Sequence, residues 1–321
     1  MKKVAWSFIS TLLVAALAVP ALAAYPTKPV TMIVAYAAGG STDTLARVTA
    51  KYLEQELKQP FVVSNRPGAG GDIGFTAIAK ATPDGYTIGL INMSGIVINP
   101  IVRPDVARYR ITDFVGLANV VTDPGIFCVR ADSKYKTLKN LIEDAKQNPG
   151  KIAVSHEGKG SGDYLGVVEL AKQAKVEFNL VPFNGDAPAK AALLGGHVDV
   201  IAVNVSEVTD MIRGGQLRGL AVQDSKRSAD LPEVPTFAEL GFPTVMQGTA
   251  SRGFAATAKI PKEALNTLAG ALKKIVAMPE YRAELKKLNM PVDFMAAEEY
   301  SKYLLDQHRL WSELWQKAPW M

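Results

Sequence analysis

The chain reads as an α/β fold with a largely parallel sheet, on three observations. Short β-branched runs alternate along the chain with amphipathic helical segments. Several of those runs end in glycine-rich loops that lead directly into a helix, as strand-to-helix turns do. Composition is that of an ordinary globular protein, with 48% hydrophobic and 21% charged residues, which excludes a disordered or fibrous chain. A length of 321 residues suggests two domains.

The first segment reads as an export signal. Lys2 and Lys3 form a positive start, residues 4–19 are apolar, and Pro20 precedes Ala21-Leu22-Ala23, a small-x-small cleavage pattern. Cleavage is expected after Ala23 or Ala24. The apolar run is shorter than the ~20 residues a spanning helix needs. No cysteine follows the cleavage site to carry a lipid. The remainder, roughly 300 residues, is therefore expected to be a soluble, exported, periplasmic protein.

Residues 30–36 form the first strand, followed by Ala37-Ala38-Gly39-Gly40-Ser41 and a helix from Thr42 with Leu45, Val48, Tyr52, Leu53 and Leu57 on one face. A strand at 61–63 leads into a second glycine-rich turn, Asn65-Arg66-Pro67-Gly68-Ala69-Gly70-Gly71, and another helix. Pro83-Asp84-Gly85 introduces a strand at 86–91 that ends in Asn92-Met93-Ser94-Gly95. Leu138, Leu141, Ile142 and Ala145 mark a helix closed by Pro149-Gly150. Strands at 152–155, 178–181 and 198–202 then end, respectively, in Gly158-Lys159-Gly160-Ser161-Gly162, Asn184-Gly185-Asp186 and Asn204, each followed by a helix. A strand at 217–222 completes the set. From Pro261 onward the pattern is helical, with segments near 262–277 and 297–316.

In open α/β sheets ligands bind at the C-terminal ends of strands. A helix start there presents unpaired N–H groups and about half a positive charge, which favours a carboxylate or phosphate without any basic side chain. Enzyme motifs are missing. Gly-x-x-x-x-Gly-Lys-[Ser/Thr] is absent, neither glycine-rich loop completes Gly-x-Gly-x-x-Gly, and no Gly-x-Ser-x-Gly elbow is present. Ser133-x-x-Lys136 stands without partner motifs. His156, His197 and His308 are far apart and read as surface or loop residues, so no catalytic residue is assigned. One cysteine, Cys128 in an apolar run, excludes an intramolecular disulfide and reads as core. Neither a metal site nor a cofactor is expected. A net charge of +5, two units of it from Lys2 and Lys3, is too small and scattered for nucleic-acid binding.

These loops resemble the solute receptors of tripartite tricarboxylate transporters, the Bug-type receptors, over essentially the whole mature chain. Ala38-Gly39-Gly40-Ser41-Thr42-Asp43-Thr44-Leu45-Ala46-Arg47 resembles the family's first ligand loop. Residues 65–74 followed by Pro83-Asp84-Gly85-Tyr86-Thr87 resemble its second signature. Asn184-Gly185-Asp186-Ala187-Pro188-Ala189, Leu193-Leu194-Gly195-Gly196-His197-Val198-Asp199 and Leu231-Pro232-Glu233-Val234-Pro235-Thr236 follow in the family's order.

The resemblance implies a two-lobed type II periplasmic binding protein fold, with a mixed sheet in each lobe flanked by helices and a ligand cleft between the lobes. After the signal peptide at 1–24, lobe 1 would comprise 25–123 and 249–321 and lobe 2 would comprise 124–248. The crossings would lie near 122–125 and 247–250, both containing a glycine suited to a hinge. It implies capture of a small organic carboxylate by a monomer and transient delivery to integral membrane permease subunits. A sensory receptor presenting the same ligand is the alternative, and a periplasmic hydrolase a distant third. By the same resemblance Ala38, Gly39, Gly40, Ser41, Thr42, Asp43, Gly70 and Gly71 would hold a ligand carboxylate through backbone N–H groups and water. Gly160, Ser161, Asp163, Asn184, Asp186 and Asn204 would face it from lobe 2, and Ser94 would line the same cleft.

The chain departs from the family pattern at several of these places. Tyr36 replaces a common phenylalanine and adds a hydroxyl to the site. Tyr164 stands where histidine is frequent, and Arg252 where tryptophan often sits. Asp163 and Asp186 either cap their helices or face the cleft, where they would attract a ligand ammonium or hydroxyl. Arg252, if it reaches the cleft, would favour a second ligand carboxylate.

Overall fold

The computed structural model describes residues 25–156, 161–224, 226–243 and 251–317. The proposed signal segment at 1–24, Gly160, and the second crossing at 247–250 lie outside the described residues. Two sheets organise the chain. The first contains β1 (Val30–Val34), β2 (Phe61–Asn65), β3 (Thr87–Asn92), β4 (Phe114–Thr122), β10 (Ser251–Thr257) and β11 (Val292–Ala296), in the order β11-β4-β10-β3-β1-β2. The second contains β5 (Gly125–Arg130), β6 (Ala153–His156), β7 (Asn179–Pro182), β8 (Val200–Asn204) and β9 (Leu217–Gln223), in the order β7-β6-β8-β5-β9.

The sheets are mixed, not largely parallel. β1, β2 and β3 are mutually parallel, but β10 runs antiparallel to both β3 and β4, and β11 antiparallel to β4. In the second sheet β6, β7 and β8 are parallel, whereas β5 is antiparallel to β8 and β9. The helical alternation of the sequence marks only the parallel half of each sheet.

Helices cover both faces of each sheet. α1 (Ser41–Leu57) and α8 (Lys262–Ala277) pack on one face of the first sheet, where Leu45, Leu53, Leu268, Leu272 and Ile275 are fully buried with Met32, Ile88 and Phe254. α2 (Asp72–Ala79), α3 (Met93–Val102) and α10 (Ala297–Lys317) cover the other. In the second sheet α4 (Leu138–Gln147) and α5 (Gly162–Ala174) lie on one face, α6 (Asp186–Leu194) and α7 (Val205–Arg213) on the opposite one. α4 buries Leu138, Leu141, Ile142 and Ala145, the residues whose 3.6-residue spacing predicts it, and Thr137 caps it by accepting from the Asn140 N–H at 3.2 Å. Between the two predicted C-terminal helices the chain inserts α9 (Pro279–Lys287) and β11, so that region is not uniformly helical.

This topology places the loops of interest. β1, β2, β3 and β4 all finish at the edge of the first sheet where β10 begins, since Arg252 pairs with Asn92 and Ser251 with Thr122. β6, β7, β8 and β9 finish at the edge of the second sheet where β5 begins, since Gly125 pairs with both Asn204 and Gln223. Asp123-Pro124 joins these two edges. The glycine at this crossing has a packing reason. A Cβ on Gly125 would stand 2.6 Å from Gln223 Oε1.

Candidate functional site

Between the two edges lies a cleft into which α1 and α3 of one sheet and α5, α6 and α7 of the other direct their N-termini. The β1–α1 loop carries most of the first wall. Gly39 has φ +88°, a left-handed backbone that glycine tolerates best. Its N–H donates to Asp43 Oδ2 at 3.0 Å, and the same carboxylate accepts from Arg47 Nε at 2.9 Å and Asn65 Nδ2 at 2.9 Å. Burial alone would raise the Asp43 carboxyl, but these donors outweigh it and hold it below its ordinary value. The Asp43 side chain is thus spent on closing the loop and does not present itself to a ligand.

The loop's backbone is only partly satisfied. Ala37 N–H donates to the Asn184 carbonyl of the opposite wall at 3.3 Å, and Ser41 N–H donates to Glu207. Among the described residues the amides of Ala38, Gly40, Thr42 and Asp43 find no protein acceptor. Four such donors around the start of a 17-residue helix are the kind of group that an anion pairs with. Gly40 is buried at φ −80°, yet a Cβ there would meet nothing nearer than the Ala37 carbonyl at 3.9 Å. A larger side chain has room at this buried position. Gly40→Val is therefore expected to keep the melting temperature within a few degrees while weakening ligand binding about tenfold. Calorimetry that finds unchanged affinity in the folded variant would remove this loop from the site.

The second glycine-rich turn contributes differently. Gly71 N–H donates to the Gly68 carbonyl at 3.1 Å, and the Gly70 carbonyl accepts from Asn99 Nδ2 at 3.1 Å. The expected carboxylate contact through the Gly71 amide is consequently unavailable, and the turn serves to seat Asp72 against Arg103 (2.8 Å) and Tyr109 (3.0 Å). Tyr36 is 5% exposed and packs edge-on to Phe75. Ser94 is buried in the first turn of α3. Asn92 Nδ2 reaches Thr42 Oγ1 at 3.4 Å, while Asn92 Oδ1 and Ser41 Oγ are buried with no hydrogen-bond partner among the described residues.

On the opposite wall, Ser161 caps α5 through its hydroxyl, which accepts from Tyr164 N–H at 3.1 Å. That bond uses the Ser161 hydroxyl only as an acceptor, and it removes the capping explanation for Asp163. α6 starts at Asp186 with Gly185 in the cap position, so Asp186 is not the cap either. Asn184 is exposed beside Ala37. Tyr164 and Leu165 cross the cleft to join the cluster of Tyr36, Phe75 and Tyr109, and His156, 3% exposed and hence no surface residue, rests against the Tyr164 ring at 5.0 Å.

Where the chain crosses between the sheets, Asp123 and Arg252 form an ion pair at 2.8 Å with side chains 0% and 1% exposed. Ser206 N–H and Oγ also donate to Asp123. With its amide oriented so that donors meet acceptors, Asn204 donates to the Asp123 carbonyl at 3.0 Å and accepts from Arg252 Nη2. Arg252 and Asn204 are thereby committed to the crossing, and the second ligand carboxylate that a free Arg252 would favour loses its anchor.

Glu207 is absent from the residues that the sequence marks. From α7 it accepts the Ser41 N–H across the cleft with Oε1 and Lys190 Nζ at 2.7 Å with Oε2. Among the described residues no group of three or more His, Cys, Asp or Glu side chains is arranged to hold a metal.

Comparison with known proteins places the chain in a family and a fold. Residues 45–319 match the profile described as the tripartite tricarboxylate transporter family receptor. The protein BugT of Bordetella pertussis is 39% identical over 238 residues, covering 74% of this chain and 72% of its own. The periplasmic binding protein BugD superposes with a TM-score of 0.85 at 32% identity, covering 91% of this chain and 98% of its own. MatC from Rhodopseudomonas palustris, solved with bound malate, superposes with a TM-score of 0.84 at 27% identity, covering 90% and 99%.

Proposed function

Because the chain belongs to the tripartite tricarboxylate transporter receptor family, we propose that it is an exported, periplasmic, non-enzymatic receptor that captures a small organic carboxylate and passes it to the membrane permease of such a transporter. The observation that carries this reading is the row of amides at Ala38, Gly40, Thr42 and Asp43 that find no acceptor among the described residues, set at the start of α1 and facing a second wall across the cleft. A helix terminus of this kind binds an anionic group by partial charge and oriented N–H groups, without a basic side chain. The malate held by MatC is an example of the ligand chemistry proposed. Lobe 1 as 25–123 with 249–321 and lobe 2 as 124–248 supply the two walls, with Asp123-Pro124 as one hinge.

A ligand touching both walls binds the closed form better than the open one, and only that difference shifts the population. Mass spectrometry of solute released from freshly purified protein is expected to find a carboxylic acid, and adding it back to stripped protein is expected to lower the radius of gyration. A released solute without a carboxylate, or an unchanged radius at saturation, overturns the reading.

A further inference from the structure

Asp163 is the second residue of α5, in the lobe 2 wall of the cleft, and it is only 5% exposed. Its Oδ2 is buried with no hydrogen-bond partner among the described residues, and no Lys or Arg pairs with it there. Its charged neighbours come from every element around it: Asp186 from α6, Glu207 from α7, Asp123 from the crossing and Arg252 from β10. Two of the neighbouring carboxylates have cations of their own, Glu207 with Lys190 and Asp123 with Arg252. Capping is already performed by Ser161, so the helix does not need the Asp163 carboxylate.

A buried carboxyl oxygen without a donor costs about 1–3 kcal/mol, more if charged, and is retained when something fills the position. A second ligand carboxylate would add negative charge beside Asp163 and Asp186. A hydroxyl would supply one donor and no cation to favour the ionised carboxylate. An ammonium supplies several donors and cancels the charge in a site that excludes water, where charge-assisted bonds are strongest.

We infer that Asp163 is a specificity-determining residue and that the solute is an amino-substituted carboxylate, its carboxylate on the α1 amides and its ammonium on Asp163 with Asp186 beside it. This rests on the carboxylate-receptor reading above. Burial, and next the nearby Asp186, push the Asp163 carboxyl well above its ordinary range. A cation in that position reverses the effect, whereas a plain acid reinforces it.

The test is calorimetry and thermal shift on the stripped full-length mature protein with three matched series: succinate, malate and aspartate; glutarate, 2-hydroxyglutarate and glutamate; butyrate, 4-hydroxybutyrate and 4-aminobutyrate. The amino member of at least one series is expected to bind at least tenfold more tightly than its partners. Asp163→Asn, which is isosteric, is expected to erase that preference while changing affinity for the unsubstituted acid less than threefold. A plain or hydroxy acid that binds as well as its amino partner in every series where binding is seen overturns the inference and leaves the carboxylate reading standing. An amino preference that survives Asp163→Asn removes Asp163 from the ammonium seat. Binding by none of the nine acids overturns the inference, and the carboxylate reading is then decided by the solute released from the purified protein.

Discussion

Replacing Arg252 by methionine is expected to lower the unfolding free energy by about 3–5 kcal/mol, because it leaves Asp123 buried without its cation. The pair is 2.8 Å apart with both side chains essentially inaccessible, so water cannot take the place of the guanidinium. Burial already pushes the Asp123 carboxyl above its ordinary value, while Arg252, followed by Ser206, pulls it back. Without Arg252 the folded-state pKa rises further above the unfolded one. A carboxyl raised in this way contributes its stability below the unfolded pKa and loses it as pH rises through the folded value. The variant is therefore expected to be closest to wild type near pH 4 and furthest from it near pH 8, by urea denaturation at each pH. Adding Asp123→Asn is expected to recover much of the loss, since a neutral amide hydrogen-bonds to Ser206 without carrying a buried charge. A single variant that loses less than 1 kcal/mol at pH 8 would mean that the crossing does not depend on this pair.

The crossing also shows which parts of the molecule the sequence makes visible. Strands β1, β2, β3, β6, β7 and β8 are each followed by a helix whose first turn is marked by small or polar residues, and each was legible to within a few residues. β4, β5, β10 and β11 owe their positions to antiparallel partners distant in the chain, and no local period announces such pairing. α3 buries Met93, Ile96, Val97 and Ile98 all round, so it lacks the one-sided pattern that would separate it from the strand before it. Within the candidate site, the β1–α1 loop was legible from its glycines, but the direction of the Asp43 carboxylate was not. Arg47 and Asn65 decide it through contacts made only on folding. Asp163 looks like a cap from sequence because acidic residues favour helix starts, yet Ser161 takes that role two residues earlier. Glu207 is hidden most completely. Asn204-Val205-Ser206-Glu207 has the spacing of a local capping box, but the Asn204 side chain caps nothing and Glu207 turns to Ser41, 166 residues away.

That contact gives the second large expected effect. Glu207→Ala is expected to weaken ligand binding thirty- to hundred-fold, about 2–3 kcal/mol, with a much smaller change in unfolding free energy. In the proposed closure Glu207 bridges the two walls, whereas its pair with Lys190, between α6 and α7, would survive opening. Lys190 thus holds the carboxylate ready, and the Ser41 amide, at the positive end of α1, receives it on closure. Burial alone would raise the Glu207 carboxyl, but Lys190, Arg252 and the Ser41 N–H outweigh it and keep it ionised. Removing the side chain takes a charge-assisted bond from the closed form and nothing comparable from the open form, so the population moves toward open and the apparent affinity falls by the same factor. Scattering should find the variant still expanded at a ligand concentration that compacts the wild type, and compact at about a hundred times that concentration. Glu207→Gln keeps an acceptor for Ser41 but loses the charge, and should fall between the two. Equal affinity and equal compaction in all three proteins would show that water serves the Ser41 amide as well as Glu207 does, and closure would then rest on ligand contacts and the Tyr164 packing alone.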